Sequence, residues 1–184
     1  MKLNNTKQIR ESVAHICKKY GDIYWRALDK EKKYPSEFVK EMTDSGFLNV
    51  LIPEEFGGSG LGLIDACAVL EEISLNGAHA GACHAQMYVM GSILRHGTEE
   101  QKAKFLPKIS AGKLRLQSFA VTEPNSGTDT TNIKTFAEKT NSGWKVNGQK
   151  VWISRVEYSD LMLLLARTTP IEKVKKRTDG ISAF

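Results

Sequence analysis

Gln117-Ser118-Phe119-Ala120-Val121-Thr122-Glu123-Pro124-Asn125-Ser126-Gly127-Thr128-Asp129 is followed, after a hairpin-like stretch, by Val151-Trp152-Ile153-Ser154. The first run is β-forming as far as Val121-Thr122, where it offers main-chain N–H groups and a hydroxyl at one spot. Glu123 to Gly127 must then turn the backbone sharply, and Thr128 arrives on the far side of that turn. The second run reads as a strand whose two-residue period puts Trp152 and Ser154 on one face. An indole is wide enough to cover an aromatic ring, and a hydroxyl adds one aimed hydrogen bond. A flat apolar partner with a few directed donors is what an isoalloxazine requires. Trp152 and Ser154 alone would read as half-buried strand packing; their occurrence together with Val121-Thr122-Glu123-Pro124 carries the flavin reading.

Outward from this stretch, the apolar period changes near Gly112. Before it, Ile9, Val13, Ile16, Cys17 and Tyr20 fall on one helical face. Pro35 suits a first helical position and Gly46 a stop, which predicts a helix over residues 35–45. Leu63, Ala66, Cys67, Leu70 and Ile73 line another. Ala78 to Leu94 is almost uniformly small and apolar, as for a helix buried on most sides. Thr98 and Gln101 form a capping-box pattern that opens a helix through Phe105 and Ile109, closed by Ala111-Gly112.

After Gly112 short β-type runs take over, at 116–122, 133–139, 144–146, 150–155 and 161–167, with Asn147-Gly148 as a tight-turn signal. Ile181 to Phe184 reads as the opening of another strand. The chain is therefore expected to be α+β, with an all-α helical domain over residues 1–115 followed by an antiparallel β domain or barrel over 116–184, incomplete at its end.

The 184 residues, 41% hydrophobic and 26% charged, have an ordinary globular composition. No apolar run approaches the roughly 20 residues needed to span a bilayer, and the start, Met1 to Lys7, leads into an amphipathic pattern. The expectation is a cytoplasmic protein with no membrane span. Cys17, Cys67 and Cys83 are odd in number and embedded in apolar helical patterns, which reads as buried, reduced thiols. The net charge of +5 is concentrated only at Lys173-Val174-Lys175-Lys176-Arg177. Without interleaved aromatic residues this argues against a nucleic-acid groove and for a solvated loop.

Other motifs fail on their spacing. Gly58-Ser59-Gly60-Leu61-Gly62-Leu63 has Leu at the last glycine position of a dinucleotide fingerprint, and no β run leads into it. Ser59 lacks the frame of a nucleophile elbow. His79, Cys83 and His84 offer metal-type ligands on one helix without the third or fourth that zinc needs, so no metal is expected. Trp25 and Trp144 read as core or cover residues.

Residues 117–129 with Trp152-Ile153-Ser154 resemble the acyl-CoA dehydrogenase family, whose middle domain carries Val-Thr-Glu-Pro-x-x-Gly-Ser/Thr-Asp followed by Trp-Ile-Thr/Ser. The similarity is collinear upstream through Leu51-Ile52-Pro53-Glu54-Glu55-Phe56-Gly57-Gly58-Ser59-Gly60-Leu61-Gly62 and His96-Gly97-Thr98-Glu99-Glu100-Gln101-Lys102, and runs from about Ile9 to Phe184. It implies FAD as cofactor and α,β-desaturation of an acyl-CoA thioester. By the resemblance, Phe119, Val121 and Thr122 contact the pyrimidine half of the ring. Gly127 and Thr128 approach the pyrophosphate of FAD or the thioester, Trp152 covers the ring, Ile153 lies beside it, and Ser154 hydrogen-bonds near N5. Gly81, His84, Ala85 and Tyr88 are expected to line the acyl pocket, with Thr128 also on the substrate. Glu123 belongs to the turn, accepting main-chain hydrogen bonds. The general base is a glutamate of a C-terminal helical domain that the 184 residues do not contain, so no catalytic residue is assigned here. Implied partners are the acyl-CoA substrate, an electron-transfer flavoprotein, and either further copies of the chain or a separately encoded C-terminal half. An acyl-CoA oxidase-like flavoprotein and a non-catalytic partner subunit of a split flavoprotein remain alternatives. Arg155-Val156-Glu157-Tyr158 departs from the family's commoner Asn-Gly type continuation, so a differently shaped loop is expected there.

Overall fold

The computed structural model describes residues 2–184, with side chains from residue 6 onward. Met1 and the side chains of residues 2–5, part of the amphipathic start, lie outside the described residues. The chain forms two units, Met1–Gln117 with Tyr158–Asp160, and Ser118–Glu157 with Leu161–Phe184.

The first unit is helical: α1 (Lys2–Cys17), α2 (Asp22–Glu31), α3 (Ser36–Asp44), α4 (Leu63–Leu75), α5 (Gly81–His96) and α6 (Glu99–Ser110). The predicted face of α1 is buried through Ile9, Val13, Ile16 and Cys17, and α1 packs along α4. Tyr20, just beyond α1, meets Tyr24 and Phe38 edge-on at centroid distances of 4.9 and 5.3 Å. Phe38, Met42, Val69 and Ile73 are fully buried, each worth roughly 1.5–3 kcal/mol of apolar transfer. Pro35 precedes α3 as its cap instead of starting it.

On α4 the buried stripe is Ala66, Val69 and Ile73, while Leu63 is exposed. Cys67 is exposed as well, which corrects the expectation of three buried thiols: it lies one position off the stripe, whereas Cys17 and Cys83 are buried and all three are free. Burial pushes the Cys17 thiol up to about 11 and the Cys83 thiol to about 12. The segment from Ala78 does form the core helix, with Ala82, Cys83, Ala85, Met87, Val89 and Met90 buried in α5. The capping box of α6 is formed, Gln101 N–H donating to Thr98 Oγ1 at 3.2 Å and Thr98 N–H to Gln101 Oε1 at 2.9 Å.

The second unit holds β1 (Leu116–Ala120, which begins in the helical unit), β2 (Phe136–Thr140), β3 (Gly143–Asn147), β4 (Leu161–Arg167) and β5 (Ile181–Ala183). The sheet order is β1-β4-β2-β3, with β5 paired to β4. A helical unit followed by a β unit is thus as the sequence predicts, but the sheet is mixed. β2 pairs antiparallel with β3, and β5 with β4, while β4 joins β2 in parallel at Phe136↔Arg167. Residues 148–160 carry the chain past the hairpin before β4 begins, so β4 runs the same way as β2.

Two sequence expectations need correction. The hairpin turn lies at residues 141–142, since Thr140 pairs with Gly143; Asn147 ends β3. Gly148 serves close packing instead, because a Cβ there would sit 2.6 Å from the Thr135 Cα. Residues 150–155 form no strand: Trp152 and Arg155 have φ of 60° and 62°, which breaks any extended ladder. Among the described residues no helix is long and apolar enough to cross a membrane.

Candidate functional site

The end of β1 and the segment 150–154 lie side by side within the β unit. Val151 N–H donates to Thr122 O at 2.9 Å, Ser118 Oγ to Ser154 O at 3.1 Å, and Lys150 Nζ to Val121 O at 2.9 Å. Phe119, Val121 and Thr122 are half-buried. Beside them Trp152 is 89% exposed and Ser154 is exposed, with Val151 and Ile153 half-buried between. The in-and-out alternation expected of a strand therefore survives on a backbone that is not a strand. A left-handed φ costs a bulky residue about 1–3 kcal/mol, and here it turns a large indole out of the fold.

The turn after β1 is closed by Glu123 N–H to Ser126 O at 2.9 Å and Ser126 N–H to Glu123 O at 3.1 Å. Glu123 is buried, and its carboxylate accepts from Lys134 N–H at 2.6 Å, Thr135 N–H at 2.9 Å and Lys150 Nζ at 2.9 Å. Burial alone would raise its pKa; these donors outweigh it and bring the carboxyl down to about 2. The acid accepts main-chain hydrogen bonds, as the resemblance implies, and it adds an ion pair with Lys150.

Gly127 and Thr128 stand exposed on the turn. Nothing in the chain demands glycine at 127: its φ is not left-handed, and an added Cβ would meet no atom within 4 Å. Ser126 and Asp129 flank the pair, Ser126 Oγ donating to Asp129 O at 2.6 Å. The Asp129 carboxylate accepts from the Thr131 hydroxyl at 2.5 Å and from Arg177 at 2.8 Å, which hold it below the usual aspartate range.

In the helical unit His84 and Tyr88 are exposed with ring centroids 4.8 Å apart, and Gly81 is half-buried. Ala85 is fully buried. Residues that sequence reasoning passed over are Lys150, Asp129, Arg167 and Arg177. A charged residue closing the apolar run Leu161 to Arg167 was the one available signal, since nothing local predicts that Lys150 turns inward to Glu123.

Comparison with known proteins identifies the family. The model of the acyl-CoA dehydrogenase N-terminal domain matches residues 4–113, and that of the acyl-CoA dehydrogenase middle domain matches residues 118–184. The chain is 35% identical over 172 residues to acyl-CoA dehydrogenase FadE12 of Mycobacterium tuberculosis, covering 92% of this chain and 44% of that protein. The crystal structure of acyl-CoA dehydrogenase from Geobacillus kaustophilus superposes with a TM-score of 0.87 at 31% identity, over 97% of this chain and 46% of the other. The structure of PigA with FAD and proline gives a TM-score of 0.86 at 27% identity, over 98% and 47%. The chain thus spans less than half the length of the relatives it matches. With the family's N-terminal and middle domain models matched in order along it, the chain belongs to the acyl-CoA dehydrogenase family.

Proposed function

We propose that these residues form the flavin side of an FAD-dependent acyl-CoA dehydrogenase that desaturates an acyl-CoA thioester between its α and β carbons. The observation that carries this reading is Trp152, whose indole is almost fully exposed on left-handed backbone beside Thr122 and Ser154. A side chain that costs this much to present is explained by a ring that covers it. The residues fit FAD on a second count: Gly127 offers an open approach on a turn whose glycine the chain itself does not need.

In this reading Phe119, Val121 and Thr122 hold the pyrimidine half of the isoalloxazine, and Trp152 with Ile153 covers the ring and excludes water. Ser154 donates near N5. Gly127 and Thr128 present polar groups to the pyrophosphate or the thioester, where oriented donors stabilise negative charge. FAD, when bound, supplies the acceptor for the hydride that leaves the β-carbon. Glu123 does not take the α-proton, because a carboxyl with a pKa of about 2 in an ion pair is a poor base. That proton falls to a carboxylate outside these 184 residues. Gly81, His84 and Tyr88 belong to the proposed acyl-binding side, while Ala85, expected beside them, is fully buried. An electron-transfer flavoprotein is the proposed electron acceptor, and assembly with further copies or with a completing half is proposed as well.

The test is FAD titration of the holoprotein, with whatever segment or subunit completes the length of its relatives. Removing one hydrogen bond in Ser154→Ala or Thr122→Val should weaken FAD by about 1 kcal/mol. Trp152→Ala should cost more, roughly 2 kcal/mol, and Lys173→Ala nothing. Wild-type FAD affinity, spectrum and reduction kinetics in the Trp152 and Ser154 variants would reduce these residues to packing.

A further inference from the structure

Arg167 closes β4 and is only 4% exposed, yet among the described residues no carboxylate pairs with it. Its guanidinium instead donates to three main-chain carbonyls: Nη2 to Thr131 O at 2.5 Å and to Arg177 O at 2.8 Å, and Nη1 to Asp179 O at 3.2 Å. Its Nε has no partner. A buried cation satisfied only by carbonyl dipoles is a poor way to gain stability, since an apolar side chain fills such a site without the desolvation cost. A planar fork is a good way to hold several strands of backbone at fixed separation.

What the fork holds is the segment that carries Gly127 and Thr128. Thr131 lies just after the turn, and Arg177 and Asp179 lie in the loop before β5. That loop returns to the turn a second time, because the Arg177 side chain pairs with Asp129 at 2.8 Å. Asp129 also accepts from Thr131 N–H at 3.2 Å and takes the Ser126 hydroxyl on its own carbonyl. The tied positions Ser126, Asp129 and Thr131 thus bracket the exposed pair at 127 and 128.

We infer that Arg167 is the positioning residue of the Gly127-Thr128 turn, acting through the carbonyls of Thr131, Arg177 and Asp179 to fix the turn for an anionic ligand. The inference rests on the flavin reading above for the identity of that ligand, FAD, and for the thioester beside it.

Two variants separate position from charge. Arg167→Lys keeps the cation and loses the fork, and Arg167→Gln loses both. Each is read by amide hydrogen exchange in the completed protein without ligand and by FAD affinity and acyl-CoA affinity in the same protein. The expected result is exchange accelerated at least tenfold at residues 126–132 and 175–180 with β2 and β3 unchanged. FAD or acyl-CoA binding should weaken about tenfold in both variants. Loss confined to FAD assigns the turn to the pyrophosphate, and loss confined to acyl-CoA assigns it to the substrate. Uniform acceleration across the sheet, or faster exchange at the turn with both affinities kept, would overturn the inference. Lys behaving as wild type would overturn it too. If neither variant folds, Arg167→Met, which fills the site without a buried charge, carries the test, and unchanged exchange at 126–132 in it counts against the inference. Trp152→Ala distinguishes the two levels: if it loses FAD while the Arg167 variants keep both ligands, only the positioning role falls, and if it keeps FAD the flavin reading itself falls.

Discussion

Glu123 and Lys150 form a buried ion pair at 2.9 Å, and two main-chain N–H groups complete the acid's shell. Breaking such a pair from one side leaves the other charge stranded. Glu123→Gln should therefore destabilise the β unit by on the order of 3 kcal/mol at pH 7. The pH dependence has a definite sign. The folded pKa of about 2 lies below the ordinary 4.5, so the carboxylate's contribution is fully present above about pH 4.5 and disappears as pH falls towards 2. Urea unfolding at several pH values should show wild type and Glu123→Gln converging over that window, and a constant difference would deny the pair this role. Gly127 makes the opposite case. Alanine there meets no atom and no strained backbone, so Gly127→Ala should leave stability unchanged or raise it by about 0.5 kcal/mol. The same change should weaken FAD severalfold, a combination that calorimetry and flavin titration can detect together. Unaltered FAD binding would mean that the open face of the turn meets no ligand.

At the scale of elements, α6 shows how local chemistry writes a helix start. Thr98→Ala removes the cap and should cost about 1 kcal/mol, while Thr98→Ser should be close to neutral; thermal melts of the chain decide it. The cap was legible because Thr98 and Gln101 sit three apart and need nothing from the rest of the fold. The apolar face of α1 was legible for a similar reason, since period alone places Ile9, Val13 and Ile16 inside, and α5 was legible from its almost uniformly small and apolar composition. The segment 150–155 was not. Alternation sets Trp152 and Ser154 apart from Val151 and Ile153, as the burial pattern does, but the left-handed φ values of Trp152 and Arg155 go with contacts to Ser118 and Thr122 far away in sequence. The parallel pairing of β4 with β2 escaped for the same reason, because each run is β-forming and its partner is decided by where residues 148–160 deliver the chain. Asn147-Gly148 misled because glycine there answers to Thr135 across the fold and not to a turn. The candidate site residues with apolar or hydroxyl side chains came from the motif. Lys150 and Arg167 escaped because a charged residue turned inward is recognisable only by its partners.

For the whole molecule, the two units carry much apolar surface in the open. Ile23, Leu63, Ile64 and Leu75 are at least 70% exposed in one, and Trp144, Leu161, Met162 and Trp152 are exposed in the other. Surface of this kind drives association, so light scattering on these 184 residues alone should find oligomers or aggregate, and a stable monomer would count against a need for further surface. The chemistry points the same way. Abstraction of an α-proton needs a carboxylate that is free and basic near neutral pH. In the β unit the two acids nearest the turn are engaged, Glu123 with Lys150 and main-chain donors, and Asp129 with Arg177 and Thr131. Both are held below their usual range. In the proposed reading these residues position a flavin and a thioester without supplying the base. The 184 residues by themselves, given saturating FAD and butyryl-CoA or a longer thioester, should form no enoyl-CoA as followed by chromatography, whatever their affinity for FAD. Turnover by this chain alone would show that a carboxylate within it acts as the base. Glu123→Gln would then identify the residue: loss of that turnover in a folded variant would assign the proton to Glu123, against the bonding that now occupies it.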